Sequence, residues 1–509
     1  MAHTTQPAKQ PLLSLDRIWI IAALTMFVLR PLLTPIPPND FWWHMATGRL
    51  IIFQGAIPTL DSFSFTQAGV PFYNQSWLSQ VVMYGLYQLG NIPLVLLVQA
   101  GVITFAYGLL LRLCIRRTQQ LRLSVVIILI ATLPLSFDNW VVRPQSYALP
   151  LFVVFLTILT EYRLGWNNRL WVLPLLMALW VNMHGSFVLG LALLGIIFVG
   201  EALKVIGRVL RQPPTNHAPE HPVTPTTPVL SKQYLVWGSL TALTILINPQ
   251  GFEVIGYVRD LLGSSSVTSL VVEWAPPTIR DTNGLIFFVF LIGCGAIFTY
   301  ARRHPDLTDA LLFVAFLWLA LGATRNIVWF GLVATPLIAV QAATLFSSAK
   351  PAHKTIGSPL LNRMIVGLLA FLIFLALPWI KPAVFPETVG ALLSEGTPTQ
   401  AVEALNNLEE RPQRLFHEMG YGSYLIWEVP DQPVFIDPRI ELYPFDQWAD
   451  YINLGQANNA GQILRTYAID GLLLSKERQT SLVDMVQDDP TWQNIYEDEL
   501  TILFTKQGP

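Results

Sequence analysis

Long apolar segments recur along most of the chain and constrain its fold more than any other feature. A helix needs about 20 mostly apolar residues to cross a bilayer. Eleven segments approach that length, at residues 18–34, 77–111, 121–138, 145–161, 169–183, 185–204, 233–248, 284–301, 308–322, 326–346 and 362–380. Only 13% of the residues are charged, against about 25% in ordinary soluble domains. The sequence therefore predicts an α-helical polytopic membrane protein with about eleven transmembrane helices.

The second apolar segment is too long for one span. We expect it to begin with a juxtamembrane helix over Trp77–Leu89 that breaks at Gly90-Asn91-Ile92-Pro93, because glycine and proline interrupt helices.

The positions of Lys and Arg predict the orientation, because loops on the cytoplasmic side of a membrane carry an excess of both. If the N-terminus is cytoplasmic, 17 of these residues lie in inner loops and 6 lie at outer ends. The polar stretch Met1–Gln10 leads into the first span without a small-residue cleavage site, which is typical of an uncleaved anchor. The sequence therefore predicts a protein of the plasma (inner) membrane, with its C-terminal region outside.

Changes in composition divide the chain into two predicted domains. Residues 1–380 form the transmembrane domain, with an outer loop at 34–76 and a flexible Pro- and Thr-rich cytoplasmic loop at 212–232. Residues 381–509 form a small extracytoplasmic α/β domain, because predicted strands alternate with helices there. The predicted helices are 399–408, 445–458, 463–467 and 482–487, and the predicted strands are 423–428, 433–437, 471–475, 493–497 and 500–505.

The outer loop begins with an unusual polar group, Asp40-Phe41-Trp42-Trp43-His44. Read as a helix, Asp40, His44 and Thr47 share one face. One interpretation is structural: Asn39 caps the helix, Asp40 starts it, and the tryptophans anchor it at headgroup level. The other interpretation is catalytic. Asp40 then lies at the floor of a cavity as a base or as a ligand of Mg²⁺ or Mn²⁺, with His44 beside it.

Several polar residues lie at other outer ends of the predicted spans: Arg143 and Gln145, Asn182 and His184, and Arg325. An isolated arginine at a helix end usually extends to the membrane interface. Two arginines near one carboxylate suit an anionic phosphate, because guanidinium groups bind phosphate oxygens with paired hydrogen bonds. The sequence therefore predicts a site for a lipid phosphate.

Two further acidic groups have alternative interpretations. Asp61 follows Pro58 and either forms a turn or contributes to the site. In the C-terminal region, Asp437, Arg439 and Glu441 either contact a ligand or form a salt-bridge cluster that holds their loop, and the pattern favours the cluster.

Other classes of function find no support in the sequence. It has no nucleophile elbow, no zinc-ligand spacing and no nucleotide-binding loop. Basic residues are not interleaved with aromatic ones, which argues against nucleic-acid binding. The two cysteines, Cys114 and Cys294, lie in apolar segments and predict no disulfide framework.

The arrangement resembles the GT-C superfamily of membrane glycosyltransferases: an anchor helix, an outer loop that begins with an acidic residue, many spans and an exported tail. The segments Asp40-Phe41-Trp42-Trp43-His44, Thr47-Gly48, Asp61-Ser62-Phe63-Ser64 and Trp77-Leu78 also look like those of a bacterial group of polytopic proteins related to that superfamily, as do Arg143-Pro144-Gln145, Asn182-Met183-His184-Gly185 and Val434-Phe435-Ile436-Asp437-Pro438-Arg439.

The resemblance implies transfer of a sugar from a polyprenyl-phosphate donor to a glycan, lipid or protein acceptor on the outer face of the membrane. It implies that Asp40 is the catalytic base or metal ligand. Many members have paired acidic residues at this position, whereas Asp40 lies between Asn39 and Phe41. Two alternatives remain, a non-catalytic scaffold with the same fold and a transporter of a lipid-linked substrate, both in cell-envelope biogenesis.

Overall fold

The computed structural model describes residues 14–211, 231–263, 272–346 and 357–507. Most of them are helical. The helices before residue 380 are α1 Leu15–Leu33, α2 Asp40–Gln54, α3 Trp77–Thr118, α4 Leu121–Ile127, α5 Pro144–Arg163, α6 Val172–Met183, α7 Phe187–Arg211, α8 Lys232–Leu243, α9 Glu253–Gly263, α10 Thr282–Tyr300, α11 Leu307–Gly322, α12 Ile327–Leu345 and α13 Pro359–Ala376. The predicted connector at 212–232 falls largely outside the described residues.

Among the described residues, six helices are long and apolar enough to cross a membrane: α3, α5, α7, α10, α12 with the turn before it, and α13. Three shorter apolar helices lie at Leu121–Thr132, Val172–Met183 and Leu307–Gly322. Each of the eleven predicted segments coincides with a helical segment. The protein is therefore an integral membrane protein, while the number of eleven spans stays a prediction.

The helix α3 contains the predicted break. The backbone is non-helical at Gly90 and at Asn91, where φ is 51°, and Pro93 follows directly. The part of α3 before the break packs against α2, and α3 as a whole also packs against α1 and α5. The break therefore separates the part of α3 that supports the first loop from the part long enough to span the bilayer.

The C-terminal region, residues 381–507, combines short helices with a four-stranded sheet. The helices are α14 Lys381–Val384, α15 Glu387–Gly390, α16 Thr399–Asn406, α17 Met419–Glu428, α18 Phe445–Gly455, α19 Ala460–Thr466 and α20 Thr480–Gln487. The strands are β1 Leu415–His417, β2 Gly471–Ser475, β3 Trp492–Glu497 and β4 Thr501–Lys506. The sheet has the order β1-β2-β4-β3, with β1 parallel to β2 and the other pairs antiparallel.

The predicted strand at 423–428 is wrong, because these residues belong to the helix α17. Tyr, Ile and Trp favour strands when judged locally. Here packing decides instead: the rings of Tyr424 and Trp427 lie 5.0 and 6.3 Å from that of Trp42 in α2. The predicted strand at 433–437 is reduced to isolated bridges that Val434 makes with Ser64 and Leu415, and the sequence analysis missed β1.

Backbone pairing joins the C-terminal region to the first loop, residues 34–76. Ile36 exchanges hydrogen bonds with the 392–394 segment, and Val434 accepts one from Phe65 N and donates one to Phe63 O. The first loop therefore forms part of the same folded body as the C-terminal region.

Candidate functional site

The helix α2 lies between the membrane helices and the C-terminal region. Its glycine Gly48 allows close approach to α3, because a Cβ atom there would lie 2.2 Å from the Gln80 carbonyl oxygen. Its tryptophans are buried within the protein: Trp42 is 2% exposed and packs against Tyr424 and Trp427 of α17, and Trp43 is 8% exposed and packs against Phe72. The interpretation in which they anchor the helix among lipid headgroups does not fit this burial. The exposed end of α2 instead carries Ile52 and Phe53.

Asp40, in the first turn of α2, faces the start of α5. Its carboxylate lies 4.0 Å from Nη1 of Arg143, the residue that precedes Pro144 at the helix start. The same nitrogen donates to both oxygens of Glu273, at 2.9 and 3.3 Å. Two carboxylates from distant parts of the chain therefore share one guanidinium group.

An amide chain connects Arg143 to Arg325. Arg325 Nη2 donates to Gln145 Oε1 at 3.3 Å, and Gln145 Nε2 donates to Asn139 Oδ1 at 2.7 Å. Asn139 Oδ1 also accepts from Arg143 Nη2 at 3.3 Å. The Arg325 guanidinium lies 4.6 Å above the ring of Trp274. The two arginines are thus held on either side of the buried amides.

Asn139, Arg143, Glu273 and Arg325 line a small cleft whose other walls include Asp138, Asn283 and Thr324. Arg143 is 11% exposed, and its Nε has no hydrogen-bond partner among the described residues. A buried guanidinium nitrogen without a partner is costly.

The electrostatics of the cleft act on Asp40. Burial raises the pKa of its carboxyl above the ordinary value; Arg143 opposes this effect, while the Glu273 carboxylate adds to it. Water still reaches 38% of the side chain. A carboxylate with a raised pKa and access to water is suited to accept a proton from a hydroxyl bound beside it. The pKa of Glu273 is lowered, because Arg143 and then Arg325 outweigh its burial.

Both predicted site histidines are neutral. Burial, followed by the positive charges of Arg325 and Arg143, lowers the pKa of His184 to about 3. Burial and then His184 and Arg143 lower the pKa of His44 well below its ordinary value. The Nδ1 of His184 accepts from Ser186 N at 3.1 Å, which leaves a proton for its Nε2.

His44 and Asn182 are engaged in structural hydrogen bonds. His44 Nδ1 lies 3.0 Å from Gln80 Nε2 on α3. Asn182 Oδ1 accepts from Trp77 Nε1 at 2.9 Å, so it joins the end of α6 to the start of α3. Among the described contacts, none links His44 to Asp40. The structure thus assigns His44 a packing role on α3, and its predicted catalytic role stays a prediction.

Asp61 lies outside the cleft. Its carboxylate is buried, accepts from Ser64 N and Oγ at 3.1 and 2.7 Å, and pairs with Arg439 Nη1 at 2.7 Å. Arg439 also pairs with Asp437 at 2.6 Å, and the Tyr443 hydroxyl donates to the same carboxylate. Asp61 therefore forms a turn and an ion pair, and both of its carboxylate oxygens have partners. The salt-bridge interpretation of Asp437 and Arg439 agrees with this geometry.

The comparisons with known proteins concern the fold. No family model matches the sequence, and no curated protein sequence is significantly similar to it. The Archaeoglobus fulgidus oligosaccharyltransferase tethered to an acceptor peptide with an NVT sequon is similar in structure, with a TM-score of 0.54, 12% identity, and coverage of 97% of this chain and 74% of that one. The apo form of that enzyme has a TM-score of 0.55 at 12% identity, covering 91% of this chain and 69% of that one.

A third structure, the oligosaccharyltransferase AglB of Archaeoglobus fulgidus in complex with an inhibitory peptide and a dolichol-phosphate, gives a TM-score of 0.53 at 11% identity, covering 91% of this chain and 70% of that one. The chain has a GT-C fold. At this level of identity the likeness establishes the fold alone, because one fold can carry many activities.

Two residues of the cleft, Asn139 and Glu273, were not among the candidates from the sequence. Asn139 lies four residues before Arg143, and this short spacing could have indicated a contact between the two side chains. Glu273 is a lone acid among apolar residues in the loop after α9. No local pattern links it to Arg143, from which it is separated by 130 residues.

The donor set in this GT-C cleft does not favour a metal ion. Within the described ranges, no group of three or more His, Cys, Asp or Glu side chains lies close enough to hold one. Arg143 occupies the space between the carboxylates of Asp40 and Glu273. A divalent cation at this position would compete with a fixed guanidinium. The predicted Mg²⁺ or Mn²⁺ site stays a prediction, and no step below uses a metal.

Proposed function

We propose that the protein is a membrane glycosyltransferase that moves a sugar from a polyprenyl-phosphate donor to an acceptor on the outer face of the membrane. One observation carries the proposal: the Asp40 carboxylate lies 4.0 Å from Arg143, an arginine of the cleft that the amides of Asn139 and Gln145 connect to Arg325. The site thus combines a base with two cations. The GT-C fold supports this reaction class, and one solved protein of that fold binds a dolichol-phosphate.

Asp40 acts as the general base. The acceptor hydroxyl oxygen attacks the anomeric carbon of the donor sugar, and its proton passes to the Asp40 carboxylate. The bond between the anomeric carbon and the phosphate oxygen breaks with both electrons remaining on oxygen, so the configuration inverts. The raised pKa of Asp40 brings it closer to the operating pH, which strengthens it as a base.

Arg143 and Arg325 bind the phosphate that leaves. Negative charge develops on the phosphate oxygen as the glycosidic bond breaks, and fixed guanidinium donors stabilise it without reorganisation. Both arginines line the cleft, and the neutral His184 carries an Nε2 proton near them. Gln145 takes the role of a positioning residue that holds Arg325 in place.

The orientation of the chain in the membrane is part of the same proposal. The excess of Lys and Arg in alternate loops supports a cytoplasmic N-terminus, which puts the cleft, the first loop and the C-terminal region on the outer side of the membrane. A polyprenyl chain then lies in the bilayer while its phosphate reaches the arginines from the outer leaflet.

The test is release of polyprenyl phosphate from a labelled polyprenyl-phosphate sugar by the protein in proteoliposomes. We expect wild type to release the lipid phosphate together with a covalently glycosylated acceptor, and Arg143→Gln to lower kcat/KM by about 100-fold or more. Arg280→Gln, at an exposed arginine outside the cleft, is the matched control and should behave as wild type.

Two outcomes would contradict the proposal. Movement of the intact donor across sealed vesicles without a covalent product would indicate a transporter. Equal rates for Arg143→Gln and wild type would remove the cleft from the reaction.

A further inference from the structure

The hydroxyl of Ser423, in α17 of the C-terminal region, binds the backbone of the helix that carries Asp40. It accepts a hydrogen bond from Trp43 N at 3.0 Å and donates one to the carbonyl oxygen of Asn39. Ser423 is completely buried. Asp40 lies in sequence between Asn39 and Trp43, whose backbone groups this hydroxyl bridges. Ser423, 383 positions after Asp40, therefore holds the first turn of α2.

The first turn of α2 has no cap of its own. Asn39 occupies the N-cap position, but its side chain makes no capping hydrogen bond, contrary to the sequence-based expectation. The first backbone N–H groups of a helix lack partners within the helix and are usually bound by a capping side chain. In this helix the Ser423 hydroxyl instead bridges Trp43 N and the Asn39 carbonyl oxygen, the donor and the acceptor that face each other across the first turn.

The start of α17 packs closely against the start of α2. A Cβ atom at Gly420 would lie 3.0 Å from both Asn39 Oδ1 and Glu418 Oε2. Glu418 is itself fixed, because it accepts from Tyr421 N at 3.2 Å and from Arg478 Nη1 at 2.7 Å. The start of α17 is thus held rigidly against the residue that precedes Asp40.

We propose that Ser423 is a positioning residue for Asp40, and that the C-terminal region thereby completes the catalytic site. This inference rests on the proposed role of Asp40 as base. With the Ser423 hydroxyl in place, the first turn of α2 keeps the Asp40 carboxylate 4.0 Å from Arg143. Without the hydroxyl, the turn loosens and the carboxylate moves toward water.

The experiment compares Ser423→Ala with wild type and with a matched control. The control, Ser124→Ala, removes an equally buried hydroxyl of α4 that donates to Gln120 O outside the cleft. We expect Ser423→Ala to lower kcat by about 10- to 100-fold, because small misplacements of a catalytic group cost that much. The KM for the donor should stay unchanged, and Ser124→Ala should retain the wild-type kcat.

A pH profile distinguishes positioning from loss of folded protein. Burial is the main cause of the raised pKa of Asp40, so release of the carboxylate into water should move the acidic limb of the kcat profile to lower pH. A purely structural role would reduce the number of active molecules and leave the profile where it is. Should Ser423→Ala not fold, Ser423→Cys keeps the size of the side chain with a weaker hydrogen-bonding group.

The outcomes separate this inference from the proposed function. If Asp40→Asn is inactive and Ser423→Ala matches wild type in kcat and pH profile, the positioning role is overturned while the proposed function stands. If Asp40→Asn retains transfer, the proposed function falls and the positioning role falls with it.

Discussion

Arg439 of the C-terminal region donates to the Asp61 carboxylate of the first loop over 2.7 Å, and both side chains are almost completely buried. This ion pair connects two segments that the sequence separates by more than 370 residues. Because Arg439 also pairs with Asp437, it neutralises two buried carboxylates at once. Arg439 is therefore one of the buried contacts that join the C-terminal region to the first loop, beside the backbone pairing of Ile36 and Val434.

Removal of Arg439 should destabilise the protein more than removal of Asp61. Breaking a buried ion pair at one partner costs about 3–5 kcal/mol, because the other charge remains buried. Arg439→Met leaves two carboxylates, whereas Asp61→Asn leaves Arg439 with Asp437. Thermal unfolding followed by tryptophan fluorescence in detergent should give the order wild type, Asp61→Asn, Arg439→Met. The exposed pair Lys476–Glu497 is the control, and Lys476→Ala should cost less than about 1 kcal/mol. Equal unfolding of all variants would contradict this assignment.

Gly48→Ala should destabilise the contact between α2 and α3. Its new Cβ would lie 2.2 Å from the Gln80 carbonyl oxygen, a backbone atom that cannot rotate away. Overpacking of this kind costs about 1–3 kcal/mol. The matched control is Gly85→Ala in α3, where no atom lies within 4 Å, and which should be neutral or stabilising because alanine favours helix. The measurement is the thermal unfolding midpoint of each variant, and a Gly48→Ala midpoint equal to that of Gly85→Ala would show that the helices can separate freely.

Gln145→Leu should raise the KM for the donor. The leucine keeps the volume of the side chain but removes the acceptor for Arg325 and the donor for Asn139. A hydrogen bond to a charged group contributes about 1.5–3 kcal/mol, so KM should rise about tenfold or more with a smaller change in kcat. Steady-state kinetics with a polyprenyl-phosphate sugar measure both. A Gln145→Leu enzyme with wild-type KM would mean that Arg325 needs no support from α5.

The rate of transfer should rise with pH through the pKa of Asp40. The base acts only when deprotonated, and burial raises its pKa, so the acidic limb of kcat/KM should lie above the pH at which an ordinary carboxyl titrates. Arg143 lowers the same pKa. In Arg143→Lys, which keeps the charge, the limb should therefore stay close to that of wild type, whereas in Arg143→Gln it should move to higher pH. The measurement is the residual rate as a function of pH. If the midpoint of the acidic limb is the same in Arg143→Gln and wild type, Asp40 is not the titrating group.

Segment length and composition were enough to predict most helices, including the break at Gly90, because a membrane span is a local property of about 20 residues. Predictions of local structure from the sequence were wrong where contacts between distant segments determine that structure. Ser423–Glu428 is helical and packs Tyr424 and Trp427 against Trp42, a residue 382 positions before Tyr424, so no local pattern could reveal the contact.

The candidate site was predictable in part. Arg143 and Arg325 were identifiable because few other Lys and Arg residues fall on the predicted outer side, and Asp40 because it follows an apolar segment directly. Glu273 and Ser423 gave no local signal, because each acts on a residue more than 100 positions away. The partner of Asp61, Arg439, was likewise visible only in three dimensions.

The most direct test of the central claim is transfer by Asp40→Asn, measured together with its thermal stability. Asparagine keeps the shape of the side chain and removes the base. Since the folded state raises the pKa of Asp40, the ionised carboxylate lowers the free energy of unfolding at neutral pH, and this penalty disappears as the pH falls below that pKa. We expect Asp40→Asn to lose sugar transfer by about 100-fold or more while its unfolding midpoint at pH 7 equals or exceeds that of wild type. Undiminished transfer by a folded Asp40→Asn enzyme would contradict the role of Asp40 as general base.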